Sequence, residues 1–314
     1  MGFEIIGTGS HHPSNKVTNN DFKGIETSDE WIYTRTGIKS RYITDNESTS
    51  TLALESAKKA ISDANIDVDD IKIVVTATMT PDSFTPNVSS KILMQLGITK
   101  ACAFDINVAC SGFVYALSIA ANMLKDNEYA LVIGSECVSK ILDFKDRSTC
   151  VLFGDGAGAV IIKKSNNKFD YYLNSKTDVD GILEAPGFSQ ILGEDNTITD
   201  FKLRMNGKEV FKFALDCFCD CIDKLNEKGI SMSDIDLIIP HQANKRIIQS
   251  VSRRYEIDEE KFYLNLEDYG NTSAASIAIA LDEANMAGKI KKGMKLLLVG
   301  FGSGLSWGYI YIEL

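Results

Sequence analysis

Ala103-Phe104-Asp105-Ile106-Asn107-Val108-Ala109-Cys110-Ser111-Gly112-Phe113 reads as a strand, a small-residue turn and the start of a helix, and the rest of the chain is organised around it. The apolar run from Ala101 to Ile106 predicts a buried strand. Beyond the turn, Phe113, Val114, Leu117, Ile119, Met123 and Leu124 leave no polar face, which predicts a buried helix. Cys110 falls at the first turn of that helix, where unpaired backbone N–H groups and the positive end of the helix dipole favour thiolate over thiol. The thiolate is the form that attacks a carbonyl. A small, unreactive cysteine buried in a strand-to-helix turn is the competing reading, because free cysteines are among the most buried side chains.

Working outward, Ile5 and Ile6 open a strand that ends in Gly7-Thr8-Gly9, and Ser28-Asp29-Glu30-Trp31 starts a helix closed by Arg35-Thr36-Gly37. Ser50 to Ala64 is an amphipathic helix, Ile71 to Val75 a β-branched strand, Val88 to Leu96 another helix and Ala130 to Gly134 another buried strand. Strands alternating with helices predict an α/β fold with mostly parallel pairing. The second half repeats the order. Gly229 to Ile239 echoes Asn65 to Val75, Tyr263 to Ala284 echoes the Cys110 stretch, and Leu296 to Gly300 echoes Ala130 to Gly134. A duplicated unit follows, 1–164 and 165–314, with residues 166–226 as a long polar insertion in the second half. This repeat places Cys110 and Asn271 at equivalent helix starts.

The chain has 314 residues, 44% hydrophobic and 24% charged, the composition of a globular protein. A net charge of −10 argues against nonspecific nucleic-acid binding, and an acidic macromolecular partner would need a local basic patch. Seven cysteines without framework spacing predict reduced thiols and a cytoplasmic location. Met1-Gly2-Phe3-Glu4-Ile5-Ile6 lacks the basic and apolar regions of a signal peptide, and no apolar run is long enough to span a membrane.

Of the three histidines, His11 and His12 read as solvated loop residues. His241 follows Asp236-Leu237-Ile238-Ile239-Pro240 and so stands just past the C-terminal end of a buried strand, where α/β sheets place ligands. A satisfied core histidine is the alternative there. Cys, His and Asn at three strand-to-helix junctions are the parts of an acyl-transfer site: a thiolate attacks a thioester, and neutral imidazole and an amide donate to a developing enolate. Gly154-Asp155-Gly156-Ala157-Gly158 is followed by β-branched strand and not by the helix a phosphate loop needs. Cys217, Cys219 and Cys221 alternate along a helix with no nearby His, so Cys219 points away from the other two and zinc is not expected.

Several of these segments match one family. Ser28-Asp29-Glu30-Trp31, Ala109-Cys110-Ser111-Gly112-Phe113, Phe153 to Ala159, Pro240-His241-Gln242-Ala243-Asn244, Gly270-Asn271-Thr272-Ser273-Ala274-Ala275-Ser276 and Gly300 to Gly308 occur in family order along the whole chain. The chain resembles the thiolase-fold condensing enzymes, most closely the β-ketoacyl-acyl-carrier-protein synthase III family. The resemblance implies a five-layer αβαβα thiolase fold, a homodimer and no cofactor. It implies a ping-pong reaction in which an acyl-CoA acylates Cys110 and malonyl-acyl carrier protein then loses CO2 and attacks, with His241 and Asn271 serving the decarboxylation. The backbone N–H groups of Cys110 and Ser303 would form the oxyanion hole. Trp31, Arg35 and Arg147 would hold the CoA nucleotide, while Met205, Asn206, Gly207, Ala243 and Asn244 would line the pantetheine tunnel. Lys212, Arg246, Arg253 and Arg254 would form the local basic patch for an acidic carrier protein, the alternative being an ordinary solvated helix face.

Departures from the family pattern bear on substrate choice. Thr85 stands where an aromatic residue often closes the acyl pocket from the partner subunit, which hints at a longer or different acyl group, although the adjacent Phe84 could substitute. Ala278 replaces a frequent Pro and Ser303 a frequent Gly. Initiation of fatty-acid synthesis is the first expectation. A specialised synthase or acyltransferase of a secondary or glycan-modifying pathway, with another donor or acceptor, is the alternative.

Overall fold

The computed structural model describes residues 2–187 and 202–314. Its strands are β1 (Gly2–His11), β2 (Lys16–Thr18), β3 (Ser40–Tyr42), β4 (Ile71–Ala77), β5 (Cys102–Ile106), β6 (Tyr129–Glu136), β7 (Gly156–Ser165), β8 (Phe169–Ser175), β9 (Leu183–Glu184), β10 (Arg204–Met205), β11 (Leu237–Pro240), β12 (Lys295–Gly302) and β13 (Ser306–Glu313). The longer helices are α1 (Asp29–Thr36), α2 (Thr49–Ala64), α3 (Val88–Leu96), α4 (Gly112–Met123), α5 (Gly207–Glu227), α6 (Lys245–Tyr255) and α7 (Ser276–Met286). Local chemistry sets many of their ends. Ser28 caps α1 by accepting from the Trp31 N–H, and Gly37 ends it in the left-handed conformation.

Two mixed sheets carry the fold, one ordered β1-β7-β6-β4-β5 and the other β11-β12-β13-β8. Parallel pairs β6–β4–β5 in the first correspond to β12–β11 in the second, and the antiparallel β6–β7–β1 corresponds to β12–β13–β8. The counterpart of β5 is reduced to a single parallel bridge between Ile238 and Phe262. Between the sheets lie α4 and α7, whose side chains join both inner sheet faces in one buried cluster. Helices α2 and α3 cover the outside of the first sheet, and α5 and α6 the outside of the second. The result is the five-layer thiolase-like αβαβα stack. Glycine lets the layers touch: a Cβ on Gly134 of β6 would lie 2.3 Å from the Ala274 carbonyl oxygen, and one on Gly302 of β12 would lie 2.7 Å from the Cys110 nitrogen.

The structure differs from the sequence reading at three places. The strand from Cys102 to Ile106 is a sheet edge and only half-buried, with Cys102 exposed. The stretch 166–226 is not wholly an insertion, because its ends are β8 and α5, the counterparts of β1 and α2; residues 188–201 of it lie outside the described residues. His11 and His12 are not simply solvated loop residues: His11 ends β1, paired with Ala157 and 3.4 Å from Glu47 Oε1, and the His12 ring stacks on Tyr42 with centroids 3.8 Å apart. Cys219 stands apart from Cys217 and Cys221, as expected: those two join the cluster beneath the second sheet, while Cys219 is buried where Tyr255 of α6 donates to its carbonyl. Among the described residues no helix is long and apolar enough to cross a membrane.

Candidate active site

The turns that precede the two central helices carry the candidate groups. Ala109–Ser111 and Ser273–Ala275 are single 3-10 turns, and the first residue of each, Ala109 and Ser273, has a positive φ of 44° and 51°. Such a backbone costs about 1–3 kcal/mol in a non-glycine residue and persists only where packing holds it. The turns superpose Ala109 on Ser273 and Gly112 on Ser276, so the counterpart of Cys110 is Ala274 and that of Asn271 is Asn107. The expected equivalence of Cys110 with Asn271 is therefore replaced by an Asn–Asn pair. Each Asn Oδ1 accepts from the N–H two residues on, at 3.4 Å for Asn107 and 2.9 Å for Asn271. Only the first half supplies a sulfur.

Cys110, His241 and Asn271 are all buried and line one cavity of about 520 Å³. The Cys110 thiol donates to Ser273 Oγ at 3.4 Å, and Ser273 Oγ donates to Glu136 Oε1 at 3.2 Å. Burial pushes the thiol up to about 12; the Ser273 bond lowers it and the Glu136 charge raises it. The resting group is thus a thiol. Exclusion of water outweighs the helix N-terminus, contrary to the expectation from position alone.

His241 continues β11 by donating its N–H to the Val299 carbonyl, and its ring packs edge-on against Phe301. Its Nδ1 lies 2.7 Å from Ser276 Oγ, which also accepts from the Gln242 N–H. When the Ser276 hydroxyl donates to Nδ1, its buried proton finds an acceptor, and this assigns the ring proton to Nε2. Burial holds the imidazole neutral by lowering it to about 3. Asn271 has its Oδ1 occupied by the Ser273 N–H, which leaves the amide NH2 as the pole for the cavity. Two neutral N–H donors therefore accompany the thiol.

The remaining sequence-derived residues fall in several groups. Trp31, Arg35, Arg147, Met205, Gly207, Ala243, Asn244 and Arg246 line the cavity of Cys110. The Arg35 and Arg147 guanidinium carbons lie 4.8 and 5.0 Å from the centre of the Trp31 ring. Asn244 caps α6 through the Arg246 N–H and donates to the Arg35 carbonyl, tying α6 to α1. Lys212 on α5 and Arg246, Arg253 and Arg254 on α6 are exposed. A second cavity of about 520 Å³ meets the first at Cys110 and is lined by Met79, Phe84, Ile141, Leu203 and Ser303 among others. Thr85 is exposed and lines neither cavity of its own chain. The Ser303 hydroxyl donates to the Leu183 carbonyl and its carbonyl accepts from Ser306 Oγ, while the backbone directly against Cys110 is that of Gly302.

Sequence reading missed Glu136, Ser273 and Ser276 as members of the site. Glu136 did leave a signal, a carboxylate closing the otherwise apolar run Ala130 to Ser135. The two serines left none beyond their motif, since their roles depend on contacts between halves.

Comparison with known proteins follows the same lines. Residues 104–181 match the family described as 3-oxoacyl-[acyl-carrier-protein (ACP)] synthase III, and residues 225–314 match its C-terminal family. The chain is 45% identical over 318 residues to the beta-ketoacyl-[acyl-carrier-protein] synthase III of Clostridium acetobutylicum, covering 99% of this chain and 98% of that protein. The crystal structure of 3-oxoacyl-[acyl-carrier-protein] synthase III from Aquifex aeolicus is similar at 40% identity and a TM-score of 0.91, over 100% of both chains. The priming beta-ketosynthase of the R1128 polyketide pathway is similar at 34% identity and a TM-score of 0.90, over 99% of this chain and 96% of that one.

Proposed function

Because the chain belongs to the β-ketoacyl-acyl-carrier-protein synthase III family, condensing acyltransferases that initiate fatty-acid synthesis, we propose that Cys110 carries the acyl group between its two half-reactions. In the first, Cys110 Sγ attacks the carbonyl of an acyl-CoA, and the tetrahedral oxyanion is met by the N–H groups of Cys110 and Ser303. The C–S bond to CoA breaks and the acyl-cysteine remains. In the second, the thioester carbonyl of malonyl-acyl carrier protein accepts from His241 Nε2–H and the Asn271 amide. The bond to the carboxylate breaks, CO2 leaves, and the resulting enolate carbon attacks the acyl-cysteine and expels the Cys110 thiolate. The observation that carries this reading is the fixed polarity of the two donors: Ser276 on one side of the imidazole and the Ser273 N–H on the amide oxygen turn both N–H groups toward the reacting carbonyl.

The first cavity suits CoA and the carrier arm in turn. Trp31 with the Arg35 and Arg147 guanidinium groups beside its ring offers an aromatic, cationic site for the nucleotide, and Asn244, Met205 and Gly207 line the same cavity. The exposed cations Lys212, Arg246, Arg253 and Arg254 suit an acidic carrier protein. The second cavity, apolar along Met79, Phe84, Ile141 and Leu203, receives the acyl chain and favours one longer than acetyl. The free edge of β5, with Phe84 and Met94 82% and 74% exposed, supports a homodimer that pairs this edge and sets Thr85 toward the neighbouring subunit's pocket. Seven free cysteines agree with the reducing cytoplasm.

Incubation with acyl-CoA and intact-mass measurement tests the assignment. Cys110→Ala is expected to gain no acyl mass. Asn271→Ala is expected to acylate normally but to release CO2 from malonyl thioester about 100-fold more slowly. An acylated Cys110→Ala protein places the nucleophile elsewhere.

A further inference from the structure

Glu136 takes no part in the reaction above, yet it is fully buried at the end of β6 and one hydroxyl away from the thiol. Its carboxylate accepts from Thr80 Oγ1 at 2.6 Å and from Thr78 Oγ1, the Met79 N–H and Ser273 Oγ at 3.2 Å. No cation is among these partners. The Thr78–Thr80 loop and the Ser273 turn present only hydroxyl and N–H groups to it. The titratable neighbours are Cys110, the adjacent Cys137, held protonated by burial up to about 12, and Asp155 beyond Cys137. A buried carboxylate without a counter-ion is costly when ionised, so its retention beside a nucleophile calls for a use.

Resting on the assignment of Cys110 as the nucleophile, we propose that Glu136 is a positioning residue that takes up the thiol proton through Ser273 when Cys110 attacks, and returns it when Cys110 is expelled. In acylation, Sγ–H breaks as Sγ–C forms; Ser273 Oγ gains the thiol proton while its own passes to Glu136 Oε1. CoA leaves as a thiolate and takes a proton from solvent. In condensation, Sγ–C breaks, and the proton stored on Glu136 travels back through Ser273 to the expelled thiolate. One solvent proton is consumed per turnover, matching the malonyl carboxylate lost as CO2. Two properties of the chain favour the exchange. Burial pushes Glu136 up to about 7, so it accepts a proton far more readily than an ordinary carboxylate, and its negative charge opposes the thiolate until it does.

Alkylation of Cys110 by iodoacetamide, followed by intact mass across about pH 5.5 to 9.5, reads the thiolate directly. In the parent protein the rate is expected to rise through about pH 7, as Glu136 ionises, and then to level off. In Glu136→Gln the plateau is lost and the rate climbs about tenfold per pH unit, because the proton can leave only to solvent. Acylation of that variant by acyl-CoA at neutral pH is expected to slow at least about tenfold. Ser273→Ala cuts the chain while leaving the carboxylate its other donors, and is expected to lose the plateau too. A plateau at the same pH in either variant, or none in the parent, overturns the proposal. Acylation at another residue would instead overturn the nucleophile assignment, and the Cys110 alkylation profile would still read the relay.

Discussion

His241 has a single proton to offer, and the surrounding protein decides where it sits. Ser276 claims Nδ1 at 2.7 Å, and burial lowers the ring to about 3, well below its ordinary value near 6.5. Between those values the unfolded chain binds a proton that the native chain refuses, so this residue withdraws stability as pH falls through the window and contributes none of that loss above it. The same neutrality protects the chemistry. In Cys110→Ala, where acylation plays no part, CO2 release from malonyl thioester is expected to show no limb near pH 6.5; such a limb would mean that the imidazole charges in the native site. Ser276→Ala, which frees Nδ1 to compete for the proton, is expected to slow CO2 release at least about tenfold while leaving Cys110 acylation intact. Equal loss in both half-reactions would assign Ser276 to packing alone.

At the scale of elements, the site depends on how closely two turns approach two strands. Gly134 of β6 lies against the Ala274–Ala275 turn and its counterpart Gly300 of β12 against Ser111, the same contact made twice by the two halves, while Gly302 backs directly onto Cys110. Gly134→Ala would set a methyl 2.3 Å from a backbone oxygen, and neither neighbour is a flexible side chain. We expect it to destabilise the protein by about 1–3 kcal/mol in chemical denaturation, and an unchanged midpoint would mean that the turn moves aside freely. Much of this architecture is legible locally. Ser28 and Gly37 bracket α1, the run after Gly156 forms β7, and the apolar girth of Phe113 to Ala121 buries most of α4, whose end at Met123 is exposed, each from side chains a few positions apart. What escaped depends on distant partners. An apolar run looks the same in a central strand and on an edge, so β5 reads as interior. The pairing of Asn271 with Asn107, the hydroxyl of Ser273 and the carboxylate of Glu136 acquire meaning only when the halves meet.

For the whole molecule, charge is the property most easily tested. The chain carries −10 overall, while Arg246, Arg253 and Arg254 present cations from the exposed face of α6. Steering of an acidic carrier by such a face weakens once the screening length shrinks from about 10 Å at 0.1 M salt toward about 3 Å at 1 M. The KM for malonyl-acyl carrier protein is therefore expected to rise several-fold over that range in the parent and to be already raised, and less salt-sensitive, in Arg253→Glu with Arg254→Glu. An unchanged KM in the double variant would return α6 to the status of an ordinary solvated face.

The two cavities that meet at Cys110 impose an order on the molecule's clients. If the acyl chain occupies the second cavity, as proposed, the departing CoA and the arriving carrier arm share the first. Free CoA lingering there delays the next malonyl group, and an early malonyl arm keeps out the next primer. On the proposed assignment, free CoA competes with both the acyl-CoA and the malonyl carrier arm for one cavity.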